Sequence, residues 1–345
     1  MKSKVISLFI CLVFSISAVV ALDLLSFKIN RRKNGFIRLF PSHLALPLKI
    51  QDIKYNSYYL AGYAEGKIYL GNSSAPYMLL AADSALKDIQ QVKLHISGSP
   101  PVFPGYNMLA VDSLSVYLME GEISTIITGS LWGLNLSHIY KSPPFSFGIP
   151  LSPSTFVVRS YYNASGQNVL EKVSVPSDSI KAIYPLKKQG DGIFSTDGLL
   201  RYEPVSKSIV YIYFYRNEIV RLDSNLNVVY ESHTIDTISH AYINPTYIAS
   251  TKSLTLAHPP LLVNKDCSVN KDWIFVRSGL RANNEDQESF DQWSVIDVYS
   301  FKDGSYHFSF YLPDLNHIKT KNFAVYGKTL IAMYDHYLYA YRMNF

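Results

Sequence analysis

Lys207–Leu226, KSIVYIYFYRNEIVRLDSNL, decides the fold. In an extended strand Ile209, Tyr211, Tyr213 and Tyr215 share one face, and Val210, Ile212 and Phe214 the other. Both faces are apolar or aromatic, and no polar residue interrupts them at helical spacing. Such a run of β-branched and aromatic residues is a strand covered on both sides. Arg216-Asn217 breaks it, and Ile219–Leu222 returns. Asp223-Ser224-Asn225 then turns the chain, because short polar side chains bond their own backbone.

Weaker copies surround this hairpin. Gly66–Leu70 leads through Pro76–Ala82 to Asp83-Ser84, with the same entry lysine and exit Asp-Ser. Leu114–Met119 turns at Glu120-Gly121 into Ile123–Thr128, and Lys328–Tyr334 turns at Asp335-His336 into Tyr337–Tyr341. Lys252–Leu256 is a shorter echo, and Ser154–Ser160 resembles Asp272–Ser278. Central strands fall near residues 68, 116, 157, 210, 254, 295 and 331. Their mean spacing of about 44 residues is that of a propeller blade of four short strands. One blade cannot cover its own two apolar faces, so neighbours stacked around an axis must do so. The expectation is an all-β propeller over residues 36–345, with seven blades favoured and six also fitting. Two stacked β-sandwiches are the alternative fold. Phe36–Phe40 is expected to close the ring beside Tyr337–Tyr341.

The composition agrees. Of 345 residues, 48% are hydrophobic and 17% charged, with 27 Tyr and 18 Phe, which excludes a disordered chain. The net charge of +5 is scattered, without a basic-aromatic block for nucleic acid. Cys11 and Cys267 are the two cysteines, and Cys267 reads as a small buried apolar residue.

Lys2 and Lys4 precede an uncharged run, Val5–Leu22, that ends in Val19-Val20-Ala21. This is a signal peptide over residues 1–21, or an uncleaved membrane anchor helix touching the bilayer through residues 5–22. Export to the periplasm or cell envelope follows. Lys28, Arg31, Arg32, Lys33 and Arg38 lie close behind, in and after a basic linker over 22–35, and oppose that orientation.

The unit length and strand pattern from 36 to 345 resemble exported bacterial propellers of the TolB-like and NHL-like kind. The resemblance implies a module that binds a partner protein, peptide or glycan on one face of the ring, with a minority of such proteins being enzymes. No catalytic residue, metal site or cofactor is expected: the histidines lack zinc spacing, and Asp223–Thr234 lacks the glycine and terminal glutamate of a calcium loop. Four arginines on apolar strands, Arg159, Arg277, Arg201 and Arg221, are the candidate ligand-binding residues, because a buried guanidinium needs an acceptor. Either they hold an anionic or carbonyl-rich ligand at the axis, or they pair between blades. The loop Gly279–Gln292, with Glu285, Asp286, Glu288, Asp291, Phe290 and nearby Trp293, is a candidate recognition loop. A monomer binding a protein, peptide or glycan is the reading. An axial-channel hydrolase or lyase acting on an exported polymer is the alternative.

Overall fold

In the computed structural model, which describes residues 2–30, 34–42, 44–98, 101–103 and 107–345, the second strand of the quoted hairpin unit is Ser208–Tyr213, buried at every position. Ile209, Tyr211 and Tyr213 enter one apolar cluster, shared with Val157 and Leu170 of the preceding sheet. Val210 and Ile212 enter another, shared with Cys267, Ile274 and Val276 of the following sheet. The two-residue alternation therefore has two apolar faces because each face belongs to a different neighbour.

The same construction recurs in four-stranded antiparallel units. Unit 1 is Tyr58–Ala64, Lys67–Asn72, Met78–Asp83 and Ile89–Lys93. Unit 2 is Asn107–Asp112, Ser115–Glu120, Thr125–Ser130 and Asn135–Lys141, to which His95–Ile96 adds a short parallel pairing. Unit 3 is Phe147–Ser152, Thr155–Tyr162, Gln167–Ser174 and Ser179–Pro185. Unit 4 is Gly198–Glu203, Ser208–Tyr213, Glu218–Asp223 and Val228–His233. Unit 5 is Asn264–Val269, Trp273–Ser278, Trp293–Ser300 and Tyr306–Pro313. Unit 6 is Asn322–Tyr326, Thr329–Tyr334 and Tyr337–Met343, completed by Ala45–Asp52 from the other end of the chain.

The first strands lie side by side in sequence order, and that of unit 6 returns to that of unit 1. Each adjoining pair of units shares one apolar cluster, including units 6 and 1 through Ile331, Met333, Ile68 and Leu70. Units 1 and 2 approach so closely that their first strands pair in parallel, Gly62 with Val111. Gly62 has φ +152°, and a Cβ there would lie 2.0 Å from the Val111 carbonyl oxygen, so no other residue fits. Outer strands such as Val228–His233 and Ser179–Pro185 alternate between exposed and half-buried side chains, as edges facing water should.

Two expectations are corrected. The favoured seventh division, near Leu254, is not a four-stranded sheet. Pro245–Ile248 and Ser253–Leu256 form a two-stranded ribbon inserted between units 4 and 5. Its Tyr247 and Leu254 are exposed, so the echo copied a hairpin without a unit's core. Phe36–Phe40 is not the closing strand. Ala45–Asp52 is, running from Ala45 opposite Met343 to Asp52 opposite Tyr337. Pro47 is tolerated there because this outer strand is an edge, and the register shifts beside it.

Phe36–Phe40 instead lies across unit 5. Phe36 packs with Val263, Leu280 and Ala282, while the Leu39 carbonyl accepts from Ser309 N at 2.7 Å. Arg38, expected among the basic residues after the leader, has a fully buried side chain. Its Nε and second terminal nitrogen donate to the two Asp297 oxygens at 2.6 and 2.9 Å, and the other terminal nitrogen donates to Glu285. Burial opposes its charge, yet Asp297 and Glu285 outweigh burial and hold its pKa above the ordinary arginine value. This strap thus crosses unit 5 with residues 34–42 and completes unit 6 with residues 45–52.

Asp223 is the plain turn that the missing calcium-loop residues suggested: its Oδ1 accepts from Asn225 N and Asn227 N at 2.7 and 2.9 Å. Helix Lys2–Asn30 precedes the strap, and its side chains from Phe9 to Ala21 are exposed. No helix among the described residues is long and apolar enough to cross a membrane. Arg31, Arg32, Lys33 and the Lys28 side chain lie outside the described residues.

Replacing Arg38 with Met strands two buried carboxylates. Urea unfolding should show a loss of about 3–5 kcal/mol, with part recovered when Glu285→Gln and Asp297→Asn are added.

Candidate ligand-binding face

The four strand-borne arginines all reach out of their own unit or toward its neighbour. Arg159, on the second strand of unit 3, donates from Nε to Ser146 Oγ at 2.9 Å and meets Asp197 of the unit 4 approach at 3.0 Å. Its terminal nitrogen also donates to the Tyr211 hydroxyl at 3.3 Å. Arg277 holds the equivalent place in unit 5, the fifth residue of its strand, and donates to the carbonyls of Thr320 and Lys321 at 2.5 and 3.2 Å. Arg201, on the first strand of unit 4, spans to unit 5 through Asp266 Oδ1 and the Cys267 carbonyl, both at 2.8 Å. Arg221 donates to the Phe301 carbonyl at 3.0 Å and lies 4.2 Å from the centroid of that ring. Arg159 and Arg201 are therefore matched by carboxylates. Arg221 and Arg277 meet neutral acceptors, and each keeps a buried Nε without a partner among the described residues.

Arg216 is a fifth tie that the sequence reading took for a strand break. Its guanidinium lies 3.5 Å from the Tyr213 ring centroid, with Nε donating to Glu218 at 2.6 Å. Its terminal nitrogens donate to the Ser195 and Lys187 carbonyls at 2.7 and 2.6 Å. The legible signal was Glu218, an acid two residues past an arginine that ends an apolar strand.

The recognition loop after Ser278 divides. Glu285 is buried as the partner of Arg38 and also accepts from the Tyr311 hydroxyl. Asp286 caps the short helix Gln287–Gln292 by accepting from Ser289 N at 2.8 Å. Among the described residues no group of three or more His, Cys, Asp or Glu is placed to hold a metal ion.

A different place has room for a ligand. A groove of about 600 Å³ opens between units 2 and 3, at the end carrying Glu120–Glu122, Pro143–Ser146 and Ser160–Asn163. Strand register explains it. Val158 stands opposite Glu171, and Ser160 opposite Val169, so Phe156, Val158, Ser160, Glu171 and Val173 share the face toward unit 2. Phe156, Val158 and Val173 pack against Met119 and Ile126. Ser160, two residues beyond Val158, and Glu171, directly opposite Val158, line the groove on this same face. Both residues are at least nine-tenths buried, and Ser160 Oγ and Glu171 Oε2 have no hydrogen-bond partner among the described residues. Burying such atoms unpaired is unfavourable, so the groove is poised for hydrogen-bond donors. Phe145, Tyr161 and Pro144 supply apolar walls. Sequence reasoning missed this site. Its one trace is the charge of Glu171 within the apolar strand Asn168–Val173.

No protein-family model matches the sequence, and no curated protein matches it. Solved structures do match in fold. A member of the DUF4221 family from Bacteroides vulgatus is 14% identical with a TM-score of 0.51, over 91% of this chain and 99% of that one. A candidate exported protein of Bacteroides fragilis is 10% identical with a TM-score of 0.50, over 90% of this chain and 95% of that one. BamB from Moraxella catarrhalis is 11% identical with a TM-score of 0.44, over 87% of this chain and all of that one. In fold the chain is similar to bacterial β-propeller proteins.

Two outcomes are expected from the buried groups. Cys267 is fully buried, and burial pushes its thiol up to about 12. A thiol reagent should therefore modify it in unfolding denaturant and leave it untouched in the native protein. Burial also holds the Asp266 carboxyl above its ordinary value of 3.8, against the pull of Arg201 and Arg277. Ionising it thus costs stability above that raised value, and the cost vanishes below the ordinary one. Arg201→Met enlarges the cost, so its stability deficit against the wild type should shrink as pH falls from about 8 to about 5, read from urea midpoints.

Proposed function

We propose that the protein is a non-catalytic binding propeller of the cell envelope that takes a peptide or glycan partner in the groove between units 2 and 3. The observation carrying this reading is the pair of buried, unpartnered acceptors, Ser160 Oγ and Glu171 Oε2, beside apolar walls in a groove of about 600 Å³. A ligand with N–H or O–H donors on an apolar body satisfies both at once, as peptides and sugars do. Each four-stranded unit is taken as a blade, giving six blades in one ring. The ring's rigidity suits recognition, because loops and strand ends hold their groups in place without a closing motion.

The chain is proposed to divide into a targeting segment over residues 1–21, a connection, and the propeller body. The exposed apolar side chains of Phe9, Phe14 and Val20 favour that division. The body begins by Asn34, whose carbonyl accepts from Thr237 Oγ1 and whose side chain donates to the Arg281 carbonyl, both at 2.8 Å. Export to the envelope is the location this segment supports.

The test is a thermal-shift panel of oligosaccharides and of tripeptides bearing Lys or Arg, run on the wild type and on Glu171→Gln. Relief of the buried unpaired charge should make the unliganded variant equally or more stable, by up to about 2 kcal/mol. The variant should bind any ligand that shifts the wild type about tenfold more weakly, the loss of one charge-assisted hydrogen bond. A panel without a single shift in the wild type, or undiminished binding by Glu171→Gln, would refute the groove as the site.

A further inference from the structure

A second, smaller cleft lies on unit 5 and bears no relation to the groove. Lys265, Arg277 and Lys319 line it together, with Ser294, Phe290 and Trp293 as the remaining walls that matter here. None of its lining residues is a carboxylate.

The three cations converge for topological reasons. Lys265 is the second residue of the first strand of unit 5, Arg277 stands near the end of the second, and Trp293 opens the third. Lys319 lies on the connection into unit 6. All four points fall at the same end of the sheet, so their side chains meet at one mouth.

Their charges are only partly compensated. The Arg277 terminal nitrogens donate only to the neutral carbonyls of Thr320 and Lys321, and its buried Nε has no partner among the described residues. Lys319 Nζ donates to the Phe290 carbonyl at 2.7 Å and lies 5.1 Å from that ring's centroid. Burial, then the nearby charges of Arg277 and Lys319, lower the Lys265 pKa below the ordinary lysine value. The two acids whose charges reach these cations lie outside the cleft. Asp266 is held by Arg201 at 2.8 Å, and Asp314, whose charge does feel Lys319, does not line the cleft. Ser294 Oγ accepts from Thr320 N at 3.3 Å, which leaves its hydroxyl proton to give.

We propose that Lys265, Arg277, Lys319 and Ser294 form a binding pocket for a compact oxyanion, a carboxylate or a phosphate group. An anion there relieves the mutual repulsion and receives donors from Lys265 Nζ, Arg277 Nε and the Ser294 hydroxyl. The cleft holds about 10 Å³, the space of one water, so a single oxygen of the group enters it and the remainder of the ligand lies outside, flanked by Trp293 and Phe290. Because the Arg277 fork is spent on carbonyls, recognition is by point charges, and a planar two-pronged partner is not required.

The experiment is thermal unfolding of the full chain in sodium phosphate, sodium acetate and sodium chloride at matched ionic strength. Lys265→Met and Lys319→Met are measured in parallel. Phosphate, acetate or both should raise the wild-type Tm over chloride by about 2–4 °C at ten times the dissociation constant. A response to phosphate alone assigns a phosphate group, and a response to acetate as well assigns a carboxylate. Both variants should lose the increment, and Lys265→Met should unfold no earlier than the wild type in chloride, since a repelled charge has gone. Equal Tm values in all three salts, or an increment kept by both variants, would overturn the pocket. The result is independent of the groove, because neither variant touches units 2 or 3.

Discussion

No sheet in this chain can cover its own two faces, and everything else in the fold answers that constraint. Ile212 is useful only if unit 5 lies against it, and Tyr211 only if unit 3 does. The requirement passes from unit to unit and ends only when the last meets the first. Units 6 and 1 meet through Ile331, Met333, Ile68 and Leu70, all essentially without exposure. Stability is therefore shared around the ring, and a gap anywhere exposes two apolar faces at once.

The strap fastens that ring. Ala45–Asp52 gives unit 6 its outer strand, while Arg38 anchors the preceding residues within unit 5. A guanidinium between two buried carboxylates is a costly device in isolation. It persists here because Leu280, Ser309 and Tyr311 complete the hydrogen bonds around it. Arg159, Arg201, Arg216, Arg221 and Arg277 repeat the theme more lightly, each joining a strand to the neighbouring unit or its approach. Polar chemistry in the body is thus mostly spent on assembly, and the groups left unspent include Ser160 Oγ and Glu171 Oε2 in one cleft and Arg277 Nε in the other.

How much of this was legible depends on the range of the interactions behind each feature. The alternation in Ser208–Tyr213 is local, so its two-sided burial was readable directly, as was the equivalence of Arg159 and Arg277. The count of units was not, because Lys252–Leu256 shares the hairpin's opening residues but lacks partners for its faces. The closing strand was hidden by Pro47, which argues against a strand everywhere except at an edge. Arg38 sits in a basic run along the sequence, whereas its partners lie 247 and 259 residues away. The role of Glu171 was hidden for a related reason: its charge was legible, but its place in a groove between units 2 and 3 was not.

The central claim is that strap and ring are one cooperative structure. Native-state amide hydrogen exchange tests it most directly, by comparing the strap amides at 36–40 and 45–52 with those of Ser208–Tyr213. The account predicts that the hydrogen-bonded amides of both regions open only in the global unfolding transition, with the same denaturant dependence. Exchange of the strap through a separate, low-energy opening, while Ser208–Tyr213 stays protected, would contradict it.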